Sequence, residues 1–239
     1  ELPVLKRLTR SALLAGLRGK DLVTRLLGRQ PEYNMLRLSL HGSLPEGARL
    51  SLASLWQGGG FDFLTCTTLL RWAREDDNIQ AIVLTIADLD VGWARLQNLR
   101  RSLLALRAAK KQVWVYLTEG GMREYYLASA ADAILIAPAG HLSITGLAAE
   151  TVFFKGTLDK LGIEAQVHQA GQYKAAGEPF TRESMSEAHR EMLNGLLDDL
   201  YGQIVEDVAH ARQKSFPAVR ELIDQGLFMA REALGAGLV

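Results

Sequence analysis

Cysteine is nearly absent from this sequence: Cys66 stands alone among 239 residues. One thiol excludes an intrachain disulfide but says little about compartment, because many extracytoplasmic proteins lack disulfides. Its neighbours, "FLTCTTLL", are apolar, which points to a buried structural thiol rather than a nucleophile. A run of ~18 apolar residues is also missing, so no helix crosses a bilayer. Net charge is missing too: 27 basic residues balance 27 acidic ones, and no nucleic-acid partner is expected. The five histidines, His41, His141, His168, His189 and His210, include no i,i+4 pair and no HExxH motif. They read as solvated or structural, and no metal site is expected. His189 and His210 fall on the polar side of a long helix. There is no GxSxG elbow. The glycine-rich pieces "GGGF" and "EGGMRE" form neither a Walker loop nor a Rossmann turn, so no nucleotide or other cofactor is expected. No internal repeat or low-complexity tract appears.

What is present is an ordinary globular composition, 48% apolar and 23% charged, long enough for one large domain or two small ones. The charge is unevenly spread. Residues 1–30 carry Lys6, Arg7, Arg10, Arg18, Lys20, Arg25 and Arg29 against Glu1 and Asp21. Leucines and valines recur through 4–27 at roughly helical spacing, with the basic residues in the gaps. Two readings follow: a helix or helix pair docked on the domain, or a basic amphipathic segment lying on a membrane surface. The domain proper is read as 31–239. The chain starts at Glu1 and stops at "GAGLV", and a fragment at both ends is the expectation.

From residue 35 strands and helices alternate. "MLRLSLHG" alternates as a strand, and Gly58–Gly60 mark a flexible connection. Residues 62–75 read as helix, 80–89 as a buried strand, 93–109 as helix and 112–118 as a second buried strand. Residues 123–131 read as a short helix, "DAILIAPAG" as a third parallel strand, 150–161 as helix and "EAQVHQAG" as a further strand. The segment 186–214 reads as one long helix capped by Ser186, with Leu193, Leu196, Leu197, Leu200, Ile204, Val205 and Val208 as its apolar stripe. Pro217 opens a shorter helix. This order predicts an α/β fold with a mainly parallel sheet.

Two stretches carry candidate chemistry. "TEGGMREYYLASAAD" follows a buried strand, at the carboxyl edge of the sheet where ligands of open α/β folds gather. Amide N–H groups at the start of its helix would suit an anionic oxygen. The plain alternative is a strand-to-helix turn. The second stretch is "GQYKAAGEPFTRESMS", with Lys174 among small and apolar neighbours. A lysine serves as a general base only when neutral, so its free pKa of ~10.4 must fall by a few units, usually through desolvation. The plain alternative is a surface lysine in a loop.

Together these stretches, from "YYLASAADAILIAPAG" through "YKAAGEPFTRESMS", resemble the signal peptide peptidase A family of bacterial serine proteases over roughly residues 34–239. The resemblance implies a Clp protease/crotonase type of fold, a spiral of ββα units, with a long C-terminal helix. It implies a Ser/Lys dyad whose lysine lies in a G-x-Y-K motif: here Gly171, Tyr173 and Lys174. The serine motif, S-G-G-Y-Y, aligns on Tyr125 and Tyr126 and puts Met122 at the serine position, with Arg123 and Glu124 in place of glycines. The S-P-G-G oxyanion segment is replaced by "ADLDVGW".

A base without a nucleophile resembles the amino-terminal half of the long, two-domain members. The resemblance then implies Lys174 as general base and a serine supplied by a second protease domain, with this fragment inactive alone. Glu178, with Arg182 and Ser184, is expected to order the lysine loop; Arg123 and Glu124 are expected to shape an interdomain contact. It further implies a bowl-like homo-oligomer, commonly a tetramer, on the bacterial inner membrane, facing the periplasm. The membrane would be reached through residues 4–27 or a preceding anchor. Substrates would be cleaved signal peptides or other extended apolar peptides. Two alternatives stand beside this reading: a degenerate family member acting as scaffold or peptide-binding module, and a crotonase-like enzyme acting on acyl-thioesters.

Overall fold

The computed structural model describes residues 34–46 and 62–239. The basic segment 1–30 and the Gly58–Gly60 connection lie outside the described residues. The described chain forms two compact units, one ending at Ile144 and completed by Leu227–Val239, the other running from Thr145 to Gly226.

In chain order the first unit holds β1 (Met35–Ser43), α1 (Phe63–Glu75), β2 (Ala81–Asp90), α2 (Trp93–Ala108), β3 (Gln112–Leu117), β4 (Gly120–Gly121), α3 (Met122–Ala128), β5 (Ala133–Ile136) and β6 (His141–Ser143). The second unit holds α4 (Lys155–Lys160), a 3₁₀ turn (Ala175–Gly177), α5 (Glu178–Thr181), α6 (Glu187–Arg212) and α7 (Phe216–Gln225). The chain then returns to the first unit with β7 (Leu227–Met229) and α8 (Ala230–Gly235).

Strands β1, β2, β3 and β5 pair side by side in that order, all parallel. Parallel pairing follows from the helices that connect them, since a two-residue hairpin cannot return a chain in the same direction. One row of the register reads Leu38, Leu84, Val115, Ile134. These side chains are buried, as are Cys66, Leu70, Leu96, Leu99 and Leu103 on α1 and α2. Each fully buried leucine stabilises the unit by about 1.5–3 kcal/mol before chain entropy is counted. The strands were expected to be buried on both faces. Instead, the opposite face carries Trp114, 40% exposed, and Leu135, 51% exposed.

Two details place the site. Gly42 pairs with Leu89, not Asp88, so Asp88 is an extra residue in β2. Its φ of 46° marks a bulge. Gly140 passes close to the end of β3: a Cβ there would lie 2.1 Å from the Thr118 carbonyl oxygen. A smaller sheet sets β4 parallel to β6, with β7 antiparallel on the far side. The returning segment is well anchored, with Phe228, Ala233 and Leu238 buried and the Tyr125 hydroxyl donating to the Leu238 carbonyl.

In the second unit, α6 is 26 residues long, about 39 Å at 1.5 Å per residue. Ser186 caps it as expected, its Oγ accepting from the His189 N–H at 3.1 Å. Gln213 ends it in the left-handed region. Pro217 stands in the first turn of α7. Ile204, Val205 and Val208 are buried as the stripe requires, but Leu196 is 56% exposed. The helix expected over 150–161 shortens to α4. The strand expected at "EAQVHQAG" does not form. A strand needs a ladder partner, and neither sheet includes this segment. No described helix is long and apolar enough to cross a membrane.

Candidate active site

Lys174 is the N-cap of the 3₁₀ turn and is exposed. Its N–H donates to the Gly171 carbonyl at 3.2 Å, closing a tight turn that Gly171 enters at φ +98°. Such a φ favours glycine because no Cβ opposes it. The ammonium has no hydrogen-bond or ion-pair partner among the described residues. Ala175 next to it is buried, so the backbone is seated while the charged tip is presented to solvent. Tyr173 is half exposed, and its hydroxyl donates to Glu191 Oε2 at 3.2 Å.

Gly177 explains how the turn sits so low. A Cβ at that position would fall 2.4 Å from Val167 Cγ1, so the chain passes against Val167 only because the side chain is missing. Glu178, directly after the turn, is buried. Its Oε2 accepts from the Ser186 N–H and from His189 Nδ1, both at 3.0 Å. The Ser186 hydroxyl, its backbone N–H and His189 together hold the Glu178 carboxyl well below its ordinary 4.5, at about 2, although burial pushes the other way. Glu178 thus ties the segment just after Lys174 to the start of α6. Arg182 and Ser184 contribute less, through an exposed bond from Arg182 Nε to the Ser184 carbonyl.

Of the two readings, solvated or structural, His189 is the structural one, though not on an open polar side of the helix: it is buried and paired with Glu178. The signal was present. His189 is the third helical residue after the cap Ser186, where a capping box normally places a Glu or Gln that turns back toward the preceding chain. His210, by contrast, is exposed on α6, as expected.

At the carboxyl edge of the large sheet the cap amide of α3 is already engaged. Glu124 turns back and accepts from the Gly121 N–H at 2.8 Å and from the Leu89 N–H at 2.6 Å. Leu89 stands opposite Gly42 just after the bulge at Asp88, and its N–H goes to Glu124. Glu124 is buried, and both of its bonds lie within its own unit. Met122, half buried, begins α3 where the nucleophile motif aligns. A thioether has no proton to give and is no acyl acceptor in this chemistry. Arg123 is exposed.

Cys66 is fully buried, and burial, with the nearby Asp62 carboxylate, pushes its thiol up to about 12. It is an inert core residue. Among the described residues no three His, Cys, Asp or Glu side chains are grouped to hold a metal ion.

Peptidase family S49 matches residues 105–239, a span that includes α3, the lysine segment and α6. The chain belongs to peptidase family S49. It is 34% identical over 167 residues to "Serine protease SPPA, chloroplastic" of Arabidopsis thaliana, covering 70% of this chain and 25% of that protein. It is 32% identical over 160 residues to "Protease 4" of Salmonella typhi, covering 65% and 26%. The chain therefore spans about a quarter of the length of these S49 relatives. A solved mutant of the membrane-bound stomatin-specific protease 1510-N shares the fold, with a TM-score of 0.50 at 12% identity over 88% of this chain and 79% of that one. The signal peptide peptidase A resemblance and the α/β fold with a mainly parallel sheet are both borne out.

Proposed function

We propose that this S49 chain is the lysine-bearing half of a Ser/Lys serine protease, with Lys174 as general base and the nucleophilic serine supplied by a second domain. The observation that supports it is that Lys174, without a partner among the described residues, stands exposed beside the buried Ala175. In this reading Met122, at the start of α3, stands where the nucleophile would be.

In this reading the lysine acts as a base only when its amine is neutral. Docking of the serine-bearing domain over Lys174 removes water from it and favours the neutral amine. The amine then takes the serine hydroxyl proton as the oxygen attacks the scissile carbonyl. Backbone N–H groups of the second domain hold the oxyanion. The lysine returns its proton to the leaving amine, and an acyl-enzyme remains. Water, deprotonated by the same lysine, releases the product. Gly171 and Tyr173 shape the turn before the base, and Glu178 anchors the turn after it.

Substrates in this reading are cleaved signal peptides or other extended apolar peptides. The working assembly is a membrane-associated homo-oligomer, a tetramer, held at the extracytoplasmic face of the inner membrane through residues 4–27 or an anchor. Support comes from the family assignment and from the name SPPA borne by a relative.

The test is cleavage of an internally quenched peptide with a leucine-rich core by the full-length protein. Lys174→Ala should abolish cleavage and leave the oligomer's size unchanged. Cleavage at the wild-type rate would assign the base elsewhere. The 239-residue chain alone should not be labelled by a fluorophosphonate probe, and stoichiometric labelling would contradict the missing nucleophile.

A further inference from the structure

Little within its own segment fixes Lys174. The residues from 161 to 173 before it form no regular helix or strand, and its own turn is closed by one bond of 3.2 Å to Gly171. Side chains from the first two turns of α6 grip the segment on both sides of the lysine, and the Phe154 N–H, donating to the Pro179 carbonyl at 2.6 Å, holds it further on. Before Lys174, the Tyr173 hydroxyl reaches Glu191 on that helix. After it, Glu178 takes bonds from Ser186 and His189 at the helix start.

The two grips are unequal. Tyr173 and Glu191 meet at the surface, where water competes for both partners. The Glu178 and His189 side chains are 6% and 11% exposed, so their bond is shielded. A shielded bond to an ionised acceptor is among the stronger kinds. The imidazole is also not needed to begin the helix. That task falls to the Ser186 side chain, which accepts from the His189 backbone N–H. The ring is thus free for a separate role, and its Nδ1 must carry a proton, because an ionised carboxylate only accepts.

We infer that His189 is a positioning residue for Lys174: its Nδ1–H clamps Glu178, and Glu178 holds the 3₁₀ turn that sets where the lysine backbone stands. This inference rests on Lys174 being the general base. Without the clamp, Glu178 keeps only its bonds from Ser186, and the turn loses its tie to the ring. The amine must meet a hydroxyl at hydrogen-bond reach, and a misplacement of about 1 Å can cost about 100-fold in rate.

The experiment measures kcat and KM of full-length variants on the same quenched peptide. His189→Ala should lower kcat by about 10- to 100-fold with KM within about twofold, because the ring lies behind the base and not against substrate. His189→Asn, whose amide nitrogen falls near the place of Nδ1, should recover most of kcat. His189→Gln, whose amide nitrogen falls near the place of Nε2, should not. The Asn and Gln pair carries the test if His189→Ala does not fold. Equal kcat in Asn and Gln, or wild-type kcat in His189→Ala, overturns the role of His189 while Lys174→Ala stays inactive. Activity in Lys174→Ala would instead overturn the dyad itself, and the positioning role with it.

Discussion

Truncating Glu124 tests how the carboxyl edge of the large sheet is closed. In Glu124→Ala two backbone donors lose their acceptor, Leu89 N–H at 2.6 Å and Gly121 N–H at 2.8 Å. Hydrogen bonds to a charged group contribute about 1.5–3 kcal/mol each. Leu89 is 3% exposed, so its N–H is left buried without a partner and the full penalty applies. Gly121 is half buried and water can replace part of its loss. A total of about 3 kcal/mol follows. For a chain of this size that lowers Tm by about 6–12 °C. The assay is thermal unfolding followed by tryptophan fluorescence, with urea unfolding as a second measure. Formate is the informative additive: a small carboxylate can enter the space left by the side chain and accept from both amides. It should raise the Tm of Glu124→Ala more than that of the wild type, and chloride at equal ionic strength should not. A variant within about 0.5 kcal/mol of wild type, or one indifferent to formate, would refute the closure of these amides by Glu124.

Glu178 makes a prediction about acid. Its folded pKa, about 2, lies below the ordinary 4.5, so its contribution is fully present above pH 4.5 and is lost as pH falls toward 2. Glu178→Gln should flatten the fall in stability across that window, read as Tm against pH, and a slope equal to wild type would count against the clamp. Gly177→Ala should destabilise the second unit by about 1–3 kcal/mol, because the new Cβ meets Val167 and overpacks the turn. Adding Val167→Ala should recover most of that loss; no recovery in the double variant would show that the close approach is not its cause.

Much of this protein is legible in its residues. The alternation of apolar runs along 80–136 specifies parallel strands joined by helices, because each run can bury one face only against a neighbour. Ser186 and Pro217 mark where α6 and α7 begin, since caps act within one turn of chain. Lys174 stands out because a specific run of residues surrounds it, and family S49 follows from that run and its neighbours.

Other features came only with the folded chain. Nothing local to Glu124 shows that its carboxylate meets the Leu89 N–H, 35 residues away. His189 reads as solvated or structural, and the bond to Glu178 makes it the second. "EAQVHQAG" has the pattern of a strand and lacks a partner to pair with. Periodicity and caps are local, so they can be read along the chain. A hydrogen bond between distant groups depends on which donor and acceptor the fold brings within 3 Å. That choice pairs His189 with Glu178 and sets Glu124 against the Leu89 N–H, and it belongs to the tertiary structure.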